Sequence, residues 1–167
     1  MKKRWISLLV ENEVGVLARI AGLFSGKAYN LESLTVGITE DKSISRMTIS
    51  LSSDDQTFEQ IKKQLNRSVE VIKVIDFTNM PIHMKELMFI KVIECTDKEM
   101  NDLDRIASVF NVKIIDCDAT TVLIECVQNE DKNNALIRLL STMFLKRIVI
   151  VRGGGVAIDA ISISDKS

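Results

Sequence analysis

Proline, histidine, tryptophan and tyrosine each occur once in these 167 residues, and cysteine three times. With a single histidine, His83, a histidine-based metal site or a Ser-His-Asp arrangement would rest on one residue, two places after Pro81. Cys95, Cys117 and Cys126 are odd in number, widely spaced and set in apolar stretches, with no Cys-x-x-Cys pair. They read as buried, reduced thiols. No catalytic residue and no metal ligand is expected. The 22 basic and 23 acidic residues nearly cancel. The halves balance as well, with 11 basic and 10 acidic residues up to His83. That argues against a phosphate-tracking nucleic-acid surface, which needs clustered Lys and Arg. No apolar run approaches the roughly 20 residues that span a bilayer, and Met1-Lys2-Lys3-Arg4 leads into a strand-like segment rather than an apolar leader. A cytoplasmic protein without membrane contact is expected.

What is present is 46% hydrophobic residues arranged in short periodic runs. Trp5 to Glu11 is β-rich, and Leu17, Ile20, Ala21 and Phe24 follow at helical spacing. Leu34, Val36 and Ile38, then Met47, Ile49 and Leu51, alternate with polar residues as two half-buried strands joined by a turn around Glu40-Asp41-Lys42. Asp54 or Asp55 can cap a second helix carrying Phe58, Ile61 and Leu65, and Val69 to Phe77 is another strand.

After Asn79-Met80-Pro81-Ile82 the order starts again. Leu87 to Cys95 is a strand, Thr96 or Asp97 caps a helix, and Val112 to Cys117 with Val122 to Val127 forms a hairpin. A last helix sets Leu136, Leu139, Leu140 and Met143 on one face, and Arg147 to Val151 closes the pattern. The fold class is therefore α+β, with two tandem ferredoxin-like βαββαβ units. The expected divisions are residues 1–79, a linker at 80–83, a second unit at 84–160 and a tail at 161–167. This layout serves many functions, so the site has to be argued separately.

Glycine is the informative residue. Gly15, Gly22, Gly26 and Gly37 fall in the first unit and Gly153, Gly154 and Gly155 at the end, where they read as a flexible exit from the last strand. Gly26 reads as the C-cap of the first helix. In Glu11-Asn12-Glu13-Val14-Gly15-Val16-Leu17 the first strand gives way to the first helix at Gly15. Two readings stand: Gly15 eases a tight turn capped by Asn12, or it bares a helix N-terminus able to bind a carboxylate or phosphate. Phosphate-loop spacings are missing. RNA binding on this fold needs paired aromatics on central strands, and Arg46 to Ser52 has none.

Three blocks carry a resemblance: Val10-Glu11-Asn12-Glu13-Val14-Gly15-Val16-Leu17-Ala18-Arg19-Ile20-Ala21-Gly22-Leu23-Phe24-Ser25, Tyr29-Asn30-Leu31-Glu32-Ser33-Leu34-Thr35-Val36, and Ser45-Arg46-Met47-Thr48-Ile49. They resemble the small regulatory subunits of acetolactate synthase, and the first unit looks like that family's N-terminal ACT domain. His83 to Val92 and Val149 to Ile158 resemble its C-terminal domain, which is assigned to partner contact. The resemblance implies a non-catalytic partner of a large subunit that joins two 2-oxo acids with thiamine diphosphate, a divalent metal such as Mg and usually FAD, all held in that large subunit. It implies activation of the large subunit and feedback inhibition by valine or a related branched-chain amino acid. It implies pairing of two ACT domains side by side, with Asn12, Gly15, Val16 and Leu17 of one subunit and Asn30 and Leu31 of the other around the effector. The competing expectation is a free-standing amino-acid sensor acting on another enzyme or a transcription factor.

Overall fold

The structure, a computed structural model, describes residues 1–25 and 31–161. The elements run β1 (Lys2–Glu11), α1 (Val16–Ser25), β2 (Leu31–Ile38), β3 (Ile44–Ser53), α2 (Asp55–Leu65), β4 (Val71–Asp76), then β5 (Ile82–Val92), α3 (Asp97–Phe110), β6 (Lys113–Cys117), β7 (Val122–Gln128), α4 (Glu130–Met143) and β8 (Ile148–Asp159). The expected βαββαβ order is present twice. Each half forms a four-stranded antiparallel sheet, ordered β2-β3-β1-β4 and β6-β7-β5-β8.

In the first unit the alternation of β1 fixes which side is core. Ile6, Leu8 and Val10 point to the helical face, and Ile6 pairs with Ile49 and Leu8 with Met47 on β3. The helices complete that core with Val16, Ile20 and Phe24 of α1 and Phe58, Ile61 and Leu65 of α2. Burying each such side chain contributes about 1.5–3 kcal/mol before entropy is counted. Asp54 is the N-cap of α2, its side chain accepting the Thr57 N–H.

In the second unit Met88, Ile90 and Val92 of β5 lie opposite Cys126, Ile124 and Val122 of β7. Leu103 of α3 and Leu136 and Leu140 of α4 cover them. Thr96 caps α3 in a reciprocal box with Glu99.

Four expectations are corrected. Gly153, Gly154 and Gly155 lie inside β8, which continues to Asp159. A Cβ on Gly153 would sit 3.3 Å from the Leu87 carbonyl oxygen, so the glycine there permits a close backbone approach rather than a flexible exit. Leu139 and Met143 are 37% and 39% exposed, because Asn133 takes the third inward position of α4 beside Leu136 and Leu140. Cys117 is exposed: the β6–β7 register shifts between Ile114 and Asp116, and beyond that bulge the inward-outward order is lost. Ile82 and His83 are the first residues of β5 rather than linker.

By contact, one compact unit is 84–154, and the other joins residues 1–83 with the chain from Gly155 onward. Residues 155–161 thus group with the first unit, where the sequence pattern placed 155–160 in the second. Thr35 Oγ1 donates to the Gly155 carbonyl oxygen at 3.0 Å, and the Ala160 N–H to that of Pro81 at 3.0 Å. Among the described residues no helix is long and apolar enough to cross a membrane.

Candidate functional site

The end of β1 and the start of α1 form the most unusual local structure in the first unit. Gly15 has φ +87°, a left-handed conformation that L side chains rarely adopt. It lets the chain reverse after Glu13-Val14 and enter α1 at Val16 within two residues. The Val16 N–H reaches the Glu13 carbonyl at 3.3 Å, and the Arg19 N–H reaches that of Gly15 at 3.0 Å. The N–H groups of Leu17 and Ala18, in the first turn, have no acceptor within the helix.

Among the described residues the other three helices fill that role with capping side chains. Asp54, Thr96 and Asn129 cap α2, α3 and α4, and each of those helices has acidic residues in its first turn. α1 has no acidic residue in its first turn, and the residue at its start, Gly15, has no side chain to cap with. Its positive dipole end therefore stands open to an external anion. Arg19 lies one turn on, and its Nη1 is 3.8 Å from where a Gly15 Cβ would be. Arg19 Nε pairs with Glu70 Oε1 at 2.6 Å. One cation and one anion thus flank the open end.

Asn12 is held from the other side. Its N–H donates to the Ser43 carbonyl at 2.7 Å, its Nδ2 to the Lys42 carbonyl at 2.9 Å, and its Oδ1 accepts from Ser45 Oγ at 2.9 Å. The carboxamide is thereby tied to the β2–β3 turn and does not cap α1. One Oδ1 lone pair remains for a further donor. Val16 is buried, with its side chain in the core and only its backbone available; Leu17 is 46% exposed, and Leu31 at the head of β2 is half-buried. Asn30 lies outside the described residues, as does Gly26, the expected C-cap. Sequence reasoning missed Ser45, which orients Asn12, and Arg19, whose place four residues after Gly15 was a readable signal.

Among the described residues no group of three or more His, Cys, Asp and Glu side chains is arranged to hold a metal ion. His83 is exposed on β5.

Residues 6–73 match the family described as AHAS small subunit-like ACT domain, and residues 85–161 the family described as small subunit of acetolactate synthase. The acetolactate synthase small subunit of Aquifex aeolicus is 43% identical over 157 residues, covering 94% of this chain and 81% of that protein. The chain belongs to the acetolactate synthase small-subunit family. Another member, from Haemophilus influenzae, is 37% identical and covers 94% of this chain and 95% of its own length. The crystal structure of the Thermotoga maritima small subunit superposes with a TM-score of 0.85 at 34% identity, covering 96% of this chain and 98% of that one. The first unit is thus an ACT domain of the acetolactate synthase small-subunit type, and the open start of α1 lies within it.

Proposed function

We propose that this chain is the non-catalytic regulatory subunit of an acetolactate synthase, activating a large catalytic subunit and conferring feedback inhibition by valine or a related branched-chain amino acid. The observation that carries the effector site is the start of α1, which, among the four helices of the described residues, has a glycine in place of a capping side chain and no acidic residue in its first turn. A free amino acid brings a carboxylate, an ammonium and an apolar side chain. The N–H groups at the α1 start receive the carboxylate, with Arg19 nearby. Asn12 Oδ1 and strand carbonyls accept from the ammonium. Leu17 and Leu31 offer apolar surface.

In this proposal Asn12, Gly15, Val16 and Leu17 come from one subunit and Asn30 and Leu31 from a second copy. The exposed side of β2 supports such a pairing. β2 is an edge strand, and its Val36 and Ile38, at 45% and 64% exposure, offer apolar surface for another strand. Thiamine diphosphate, the divalent metal and FAD belong to the large subunit, and the holoenzyme works in the cytoplasm. Calorimetric titration of the full chain with valine, leucine and isoleucine tests the effector site. Saturable binding of at least one is expected, and no heat with any of the three would overturn it.

A further inference from the structure

The first sheet has a second face, turned away from α1 and α2. Ser7, Thr48 and Ser50 lie on it, on the opposite side of their strands from Ile6, Leu8, Met47 and Ile49. All three are buried, at 0%, 2% and 1% exposure; Ser7 accepts from Arg46 Nη1 at 3.5 Å and Ser50 meets Ser33 at 2.8 Å, side chain to side chain. Within the same compact unit the end of β8 meets this face at Thr35. Thr35, opposite Thr48 on this face, donates its hydroxyl to the Gly155 carbonyl. Gly155 and Ala157 are buried, whereas Val156 and Ile158 between and after them are 61% and 57% exposed. That alternation is a strand laid with its small side chains inward, as a close approach to a polar sheet face requires.

β2 has β3 as its sheet neighbour among the described residues. The Thr35 hydroxyl therefore gives this edge strand a second anchor, four residues after Leu31. We propose that Thr35 is a positioning residue that ties β2, and with it the Leu31 side of the effector site, to the C-terminal end of β8. This rests on the effector reading above. Because linkage is reciprocal, a contact that favours the bound position of β2 makes effector binding and the seating of β8 report on each other.

The test uses the full chain with Thr35→Val, which keeps the shape and removes the donor, Thr35→Ser, which keeps the hydroxyl, and Ala157→Leu, which crowds the strand from its other partner. Two readouts are taken: valine affinity by calorimetry, and amide hydrogen exchange at residues 31–38 and 155–160 without ligand. Thr35→Val and Ala157→Leu are expected to weaken valine binding by about threefold to tenfold, the range of one lost hydrogen bond, and to raise exchange in both segments. Thr35→Ser is expected to restore both, and activation of the large subunit without valine to stay at the level of the unsubstituted chain. Unaltered valine affinity in Thr35→Val would overturn the proposal, as would unaltered exchange at 155–160. If the unsubstituted chain binds none of the three amino acids, the effector reading fails by itself, and the exchange arm still decides whether Thr35 ties the two strands.

Discussion

The Ser45 hydroxyl donates to Asn12 Oδ1 at 2.9 Å, and this contact decides what Asn12 can do. With its Nδ2 given to the Lys42 carbonyl, the carboxamide is fixed in orientation, oxygen toward Ser45 and nitrogen toward the β2–β3 turn. An Asn so held does not cap α1, and in the proposed site its remaining Oδ1 lone pair is the acceptor for the effector's ammonium. Ser45→Ala is expected to cost about 1 kcal/mol of stability, as one partly buried hydrogen bond, and to weaken branched-chain amino-acid binding by freeing Asn12. Thermal unfolding with and without valine checks both, since a loss of stability alone would leave the ligand-induced shift in Tm intact.

Gly15 separates a backbone effect from a charge effect. Space for a Cβ exists, with Arg19 Nη1 at 3.8 Å, so the penalty for Gly15→Ala comes from φ +87° and is about 1 kcal/mol. Gly15→Asp adds a carboxylate at the open helix end and is expected to abolish the valine response while activation persists. Inhibition curves of the two variants with the large subunit distinguish steric from electrostatic loss.

The Arg147 guanidinium, with the Thr96 N–H behind it, holds the Glu99 carboxyl down at about 2, against an ordinary value of 4.5. A carboxylate depressed in the folded state adds stability that is fully present above its unfolded value. That stability is lost as pH falls from about 4.5 toward 2. Denaturant unfolding across that window is expected to fall less steeply for Glu99→Gln than for the unsubstituted chain. Equal slopes would contradict the ion pair with Arg147.

Arg152 meets the buried Glu86 with two prongs, Nε to Oε1 at 2.8 Å and Nη2 to Oε2 at 2.6 Å, and Asn133 Nδ2 donates to the same carboxylate at 3.0 Å. Arg152→Ala removes this two-pronged contact from a buried carboxylate of the second unit and is expected to cost about 3 kcal/mol in urea unfolding. Arg152→Lys, unable to make the fork, should recover only part of it.

The cysteines differ in reactivity. Burial pushes the Cys126 thiol up to about 11 and the Cys95 thiol upward as well, while Cys117 is exposed. One thiol is expected to react promptly with a colourless disulfide reagent in the native protein, and three after denaturation. Mass mapping should find the early adduct on Cys117.

The repeated βαββαβ order was legible because alternation in β1, β3, β5 and β7 and the caps at Asp54 and Thr96 are local signals. The stretch around Gly15 was legible for the same reason: a glycine between strand and helix is a local requirement. What could not be read depends on distant partners. The glycines of β8 look like a loop until Leu87 and Thr35 are brought beside them. The inward stripe of α4 was displaced by Asn133, a polar residue that enters the core because Glu86 is there to receive it. Cys117 turned outward through a bulge that pairing with β7 creates.

Regulation of a catalytic subunit through the open start of α1 is the function proposed for this chain. It is tested most directly by the activity of the cognate large subunit alone, with this chain, and with the Gly15→Asp variant, each across a valine, leucine and isoleucine series. The expected result is higher activity when this chain is added, progressive inhibition by at least one of the three amino acids, and loss of that inhibition in Gly15→Asp with activation retained. Activity that is indifferent to this chain, or inhibition that survives Gly15→Asp unchanged, would contradict it.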